Sequence, residues 1–248
     1  MPTDYFDDRD IWDIRDRIQE LENKVRALEN AAKGNIPEML QKEIFLKGEG
    51  QAWLERNRDK LGQNDSVSEF IEAHGLMPTS VLEVGCADGW RLEKLEKKYR
   101  RCQIAGIDPS GAREWIARGT ADDLKSFFGD GEFDLVIYGF CLYLCDPQDY
   151  FKIAAEGDRV LKDGGHILIH DFYIDDFGDE HDTKTPYEHK KGVWSYRVYW
   201  PSLWCGMPFY REVDQKKIND DEVWLLKKDL ANAFQVRSTS EVHVSSCA

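Results

Sequence analysis

No stretch of this 248-residue chain stays apolar for the length of a membrane span, and its opening Met1-Pro-Thr-Asp-Tyr-Phe-Asp-Asp8 has neither a basic start nor an apolar core. A soluble, cytoplasmic protein with no membrane partner is expected. Positive charge is scarce: 33 Lys and Arg face 47 Asp and Glu, a net charge of -14. Such a field repels phosphate backbones, so nucleic acid is not expected as a partner. The six cysteines, at 86, 102, 141, 145, 205 and 247, contain no Cys-x-x-Cys pair, which predicts reduced thiols and gives no metal site. Two nucleotide fingerprints are missing as well. A dinucleotide turn starting at Gly85 needs Gly at 87 and Gly or Ala at 90, where this chain has Ala87 and Trp90, and no Gly-Lys-Ser/Thr follows Gly89. Pyrophosphate ligands, and with them a nicotinamide oxidoreductase, are disfavoured.

What is present centres on Ser80-Val-Leu-Glu-Val-Gly-Cys-Ala-Asp-Gly-Trp90, which reads as a buried strand, a tight turn and a helix start. Val81, Leu82 and Val84 suit a strand covered on both faces, while Gly85 and Gly89 let a ligand approach the backbone. The pattern acidic-x-Gly-x-(Gly/Ala)-x-Gly, filled by Glu83, Gly85, Ala87 and Gly89, resembles the first motif of class I S-adenosylmethionine-dependent methyltransferases. The resemblance implies S-adenosylmethionine as cofactor, with Gly85, Cys86 and Ala87 lining its methionine moiety and Glu83 close to its cationic end.

Further strand ends follow in order. Cys102-Gln-Ile-Ala-Gly-Ile-Asp-Pro-Ser110 reads as a second buried strand that ends in Asp108 and is stopped by Pro109. Asp108 lies 19 residues after Gly89, where doubly wound folds place a carboxylate on the ribose hydroxyls. The run Gly119-Thr-Ala-Asp-Asp-Leu-Lys-Ser-Phe127 resembles the family's adenine motif, which implies roles for the Ala121 backbone and the Asp122 carboxylate. The strand beginning at Phe133 ends in Tyr138, Gly139 and Phe140, expected to face cofactor and acceptor, although both aromatics equally suit a core.

Three parts are expected: a coiled-coil helix over residues 1–34, a helical cap over 35–75 and a Rossmann-like domain over 76–248. Ile11, Ile14, Ile18, Leu21, Val25 and Leu28 form a heptad seam, which predicts a homodimer through residues 11–32; a helix folded onto its own domain is the alternative. In similar methyltransferases the cap lies over the cofactor, which gives Arg56 a role at the methionine carboxylate, unless it is an ordinary surface arginine. The strand and helix order reads as α/β with a doubly wound, mainly parallel sheet, and the methyltransferase resemblance implies seven strands with the last one antiparallel.

Residues 174–208 break the pattern with a segment rich in Tyr, Trp and His, placed where methyltransferases insert acceptor-recognition elements. Part of it, Tyr187-Glu-His-Lys-Lys-Gly-Val-Trp-Ser-Tyr196, looks like segments of bacterial enzymes of sugar or related small-molecule pathways. A hydroxyl acceptor requires a base, for which His170, Asp171 and His189 are the candidates. The expected function is methyl transfer from S-adenosylmethionine to the oxygen of a small, sugar-like acceptor. N-methylation of a small molecule and a non-catalytic cofactor-binding subunit are the alternatives.

Overall fold

The computed structural model describes residues 40–63, 65–172 and 187–233. The heptad seam of residues 11–32, with the dimer inferred from it, and residues 174–186 of the insertion lie outside the described residues.

Seven strands form one sheet: β1 (Ser80–Val84), β2 (Gln103–Ile107), β3 (Ile116–Ala117), β4 (Phe133–Gly139) and β5 (Leu161–Phe172), joined by a later pair. Between them in sequence, β6 (Tyr187–Lys190) and β7 (Val193–Ser195) make a separate antiparallel ribbon; β8 (Tyr210–Ile218) and β9 (Asp221–Lys228) complete the main sheet. Its order is β3-β2-β1-β4-β5-β9-β8. The first five strands run parallel, and β9 runs antiparallel to both β5 and β8. The antiparallel strand is therefore internal and β8 is the edge, where exposed Arg211, Asp214, Lys216 and Lys217 discourage pairing with another chain. The chain leaves β1 toward β2 and β3 on one side, then returns to build β4 and β5 on the other. A crevice opens at that reversal, above the carboxyl ends of β1 and β4.

Alternation along the buried strands divides the core into two layers. Val81, Leu135, Ile137, Leu168 and Val223 face one layer, closed by helices α1 (Ser66–Ala73) and α2 (Trp90–Lys98) through Val67, Phe70, Ile71, Leu92 and Leu95. Leu82, Val136, Tyr138, Ile167 and Ile169 face the other, against helix α3 (Tyr150–Val160), Trp200 and Trp204. Two sequence expectations change here. Tyr138 is fully buried, its ring 5.3 Å from that of Trp204, because alternation from Val136 turns it toward α3 and away from the ligand edge. Trp200 and Trp204, read as part of an acceptor-binding insertion, are core residues with exposures of 0% and 1%. Trp204 Nε1 donates to the Ala154 carbonyl (3.2 Å), tying the insertion to α3.

Before β1 the chain makes a short helix, Gln41–Ile44, a wide turn, Phe45–Glu49, and a helix, Gly50–Asn57. Gly48, at φ 151°, makes the break between the two helices in a backbone conformation that favours glycine. Gly50 sits against the loop after β2: a Cβ there would lie 2.9 Å from backbone atoms of Pro109 and Ser110. The cap thus packs on the loop that carries Asp108.

Candidate active site

The crevice is a cleft of about 770 Å³ including its open mouth, lined at its floor by Val84, Gly85, Ile107, Asp108 and Phe140. Its turn is built from unusual backbone. Gly85 has φ 73° and its N–H donates to the Ile107 carbonyl (2.8 Å); a Cβ at this position would sit 2.4 Å from Cys141 Cβ. Ala87 (φ 53°) and Phe140 (φ 51°) are also left-handed, a conformation that non-glycine residues hold only where surrounding contacts enforce it. Asp108 is one of those contacts. Its Oδ2 accepts from the Ala87 N–H (2.9 Å) and its Oδ1 from the Ser110 N–H (2.8 Å), so the end of β2 pins the turn after β1. Burial pushes the Asp108 carboxyl up, and the bonds from Ser110 and Ala87 pull it back. One backbone bond per oxygen leaves acceptor capacity for ribose hydroxyls.

At the far end Asp122 is held by three donors: Thr120 Oγ1 at 2.7 Å, Lys42 Nζ at 2.8 Å and Lys152 Nζ at 3.0 Å. Burial opposes its ionisation, but Lys42, Thr120 and Lys152 outweigh it and hold the carboxyl at about 2. Lys42 also pairs with Asp149 (2.8 Å), and the backbone N–H groups of Gln41 and Lys42 each donate to Asp146 at 3.2 Å. The Gln41 carboxamide donates to the Leu144 and Trp194 carbonyls, joining cap, β4 loop and β7. Trp53 of the cap lines the cleft, and Lys42, Asp146 and Asp149 do so although no sequence signal marked them; these three come from segments whose proximity only the tertiary fold creates.

Of the residues assigned from sequence, Gly85, Asp108, Pro109, Ala121, Asp122 and Phe140 line the cleft together. Ala87 and Gly89 shape the turn, the latter donating its N–H to the Cys86 carbonyl (2.9 Å). The Cys86 thiol points into the layer formed with Leu92, so this residue offers the cleft no side chain. Arg56 is half exposed and pairs with Glu49 at 2.6 Å; the cap presents Lys42, Phe45, Gly50 and Trp53 to the cleft instead. Glu83 is buried beneath the turn, where Oε1 accepts from Arg91 Nη1 and Oε2 has no partner among the described residues. Burial pushes its carboxyl up to about 7, and Arg91 offsets part of that cost. Gly139 lies beside this pair: a Cβ there would be 2.8 Å from Arg91 Nη1.

The three candidate bases are not brought together. His170 is buried behind Phe140, with ring centroids 4.3 Å apart. Neither of its ring nitrogens has a hydrogen-bond partner among the described residues, and Nε2 lies 3.8 Å from Asp221 Oδ2. Burial, then the Arg91 charge, push it down to about 4, so the imidazole is neutral at pH 7. Asp171, the next residue along β5, projects to the opposite face. There it accepts from the backbone N–H groups of Phe172 (2.8 Å) and Tyr143 (3.2 Å), and burial pushes it up to about 7. His189 is exposed on β6 beside Tyr187 and does not line the cleft.

A family model described as "Methyltransferase domain" matches residues 29–212. The chain belongs to this family. It is a methyltransferase of the S-adenosylmethionine-dependent class, as the turn at Glu83 to Gly89 implies. A Haemophilus influenzae protein of uncharacterised function is 32% identical to the methyltransferase over 117 residues, 42% of this chain and 45% of that protein. The chain thus spans about half the length of that curated relative. Among solved structures, Burkholderia thailandensis 1,6-didemethyltoxoflavin-N1-methyltransferase, with 1,6-didemethyltoxoflavin and S-adenosylhomocysteine bound, superposes with a TM-score of 0.59. It is 17% identical, with 75% of this chain and 88% of that chain covered. A Haloferax volcanii methyltransferase in complex with the Trm112 activator gives 0.56 at 16% identity, covering 72% of this chain and 95% of that one. An Archaeoglobus fulgidus S-adenosylmethionine-dependent methyltransferase gives 0.52 at 15%, covering 71% and 99%. At these identities the likeness establishes the fold.

One acid dependence follows from the helix that flanks the site. Asp65 caps α1 by accepting from the Ser68 N–H (3.2 Å), and its carboxylate also takes Arg91 Nε (3.0 Å) and Lys94 Nζ (2.7 Å). Burial opposes the charge, but Lys94, Ser68 and Arg91 prevail and hold it at about 2. A carboxyl depressed in the folded state contributes stability that is complete above its unfolded value of about 4 and is lost as pH falls through about 2. Urea midpoints measured between pH 5 and pH 2 should fall less steeply in Asp65→Asn than in the native chain. Equal slopes would remove Asp65 from the acid response.

Proposed function

We propose that the methyltransferase transfers a methyl group to a hydroxyl of a small, sugar-like acceptor, with His170 as the base. The observation that carries this reading is His170 itself: buried, neutral, without a hydrogen-bond partner at either ring nitrogen among the described residues, and packed on cleft-lining Phe140. A neutral imidazole with an open lone pair can take the proton that an alcohol must lose. Its position on β5, paired with Gly139 of β4, supports the reading, because doubly wound sheets bind ligands at the carboxyl ends of their parallel strands.

The site fits S-adenosylmethionine on its own geometry. The cradle at Gly85 admits no Cβ, the Asp108 oxygens keep spare lone pairs, and Glu83 Oε2 is a buried acceptor without a donor. In this reading Glu83 and the turn at Gly85–Ala87 hold the methionine end, Asp108 the ribose, and Ala121 with Asp122 the adenine. When bound, the cofactor supplies an electrophilic methyl on a sulfonium. The chain's part is to align an acceptor oxygen with it and to take the proton, and alignment alone supplies much of the rate. Phe140 lines the cleft and offers an apolar face on which a ring can stack, backed by Phe172 at 5.4 Å and, through it, Tyr143 at 4.8 Å.

The test is a panel of small polyols, sugars, phenols and amines, scored by S-adenosylhomocysteine release and by NMR of the product methyl. An O-methyl product is expected. On that acceptor His170→Ala should lower turnover about 100-fold or more while leaving S-adenosylhomocysteine affinity unchanged. Undiminished turnover in His170→Ala would remove the base, and an N-methyl product would replace the oxygen acceptor. The Burkholderia neighbour is an N1-methyltransferase, which makes amines a necessary part of the panel.

A further inference from the structure

Beneath the cofactor turn lies a buried charged cluster, in which Glu83 stands two residues before Gly85 while Arg91 and Asp65 stand off the cleft. Arg91, the second residue of α2, is 6% exposed. Its Nη1 donates to Glu83 Oε1 on β1, its Nε donates to Asp65 Oδ1 at the start of α1, and its guanidinium lies 4.6 Å from the Trp90 ring centroid. Gly139 on β4 makes room for it, since any side chain there would meet Nη1. Four elements of the fold therefore converge on one guanidinium.

For stability alone this arrangement is a poor choice. A buried ion pair contributes little compared with apolar residues of the same volume, because both charges must leave water. It also places a cation next to a site that receives a cationic ligand. The geometry resolves that difficulty. Asp65 satisfies one side of the guanidinium, and Lys94 at its other oxygen is half in solvent and screened. Arg91 occupies only one oxygen of Glu83, and the other is buried without a donor.

We propose that Arg91, backed by Asp65, is a positioning residue for the cofactor's amino-acid end. It fixes Glu83 in one rotamer beneath the turn, with Oε2 left to accept from the ligand ammonium. The proposal rests on the cofactor reading given above and goes beyond it by assigning a function to two residues that touch no ligand. Without the guanidinium, Glu83 stands buried between the charges of Asp65 and Asp108, takes up a proton and can no longer hold an ammonium.

The experiment separates the two ends of the ligand. Calorimetric affinities are measured for S-adenosylhomocysteine, which carries the amino-acid end, and for 5′-methylthioadenosine, which lacks it. Arg91→Gln should weaken the first by about 10-fold or more and the second by less than about 2-fold. Arg91→Lys, which keeps the charge but cannot span both carboxylates, should fall between. Asp65→Asn should reproduce the selective loss more weakly, and supplies the measurement if Arg91→Gln does not fold. Asp108→Ala serves as the contrast, weakening both ligands alike. Equal losses of both ligands in the Arg91 and Asp65 variants, or no loss, would overturn the proposal. Failure of the native chain to bind either ligand would instead overturn the cofactor reading.

Discussion

Gly85→Ala should abolish measurable S-adenosylhomocysteine binding and leave a folded but weakened protein. Two costs add at this position. An L-residue held at φ 73° is strained by about 1–2 kcal/mol. The new Cβ, 2.4 Å from Cys141 Cβ, also forces the β4 loop to move, at about 1–3 kcal/mol for overpacking. The loop cannot move cheaply, because the Cys141 thiol donates to the Val84 carbonyl (3.2 Å) and Phe140 is held through its N–H on the His170 carbonyl (2.7 Å). The strain falls on the turn itself, so binding goes before folding does. Calorimetry and urea unfolding read the two effects separately. Cofactor affinity within about threefold of the native value, which is less than about 1 kcal/mol, would show that the turn has slack this geometry denies.

Asp171→Ala should lower unfolding free energy by about 2–5 kcal/mol, since the backbone N–H groups of Tyr143 and Phe172 lose their acceptor in a fully buried setting. Those bonds anchor the loop that presents Cys141, Leu144 and Cys145 to the cleft, so cofactor affinity should fall with stability. A base behaves differently: turnover drops, while stability and cofactor affinity hold. Chemical denaturation alongside the turnover assay distinguishes the two. Unchanged stability with lost turnover would return Asp171 to the list of bases.

The contrast between Asp171 and His170 shows what a single chain discloses. The cofactor turn is legible because its chemistry is local: a leading carboxylate, Glu83, and small residues within seven positions, then Asp108 at a set distance. Direction is not legible along β4 and β5. Strands covered on both faces carry no polar alternation, so nothing in the sequence shows that Tyr138 turns toward α3, or that His170 and Asp171 part to opposite layers. The strand β3 escapes notice because two residues, Ile116 and Ala117, carry no period at all. Aromatic density misleads in the insertion, where Trp200 and Trp204 serve the core. Lys42 reaches the cleft from a cap that precedes β1 by tens of residues.

The two thiols in the cleft wall have a chemical consequence. Cys141 and Cys145 both line the space that receives a sulfonium, a reagent that alkylates soft nucleophiles. A thiolate there would be methylated by the enzyme's own donor. Burial raises both thiols well above the ordinary range, and the Asp171 charge raises them further. Each proton is also committed, that of Cys141 to the Val84 carbonyl and that of Cys145 to the Cys141 carbonyl at 3.3 Å. Only the thiolate attacks. With the donor in this cleft, as proposed above, the protonated thiols of its wall escape alkylation by it.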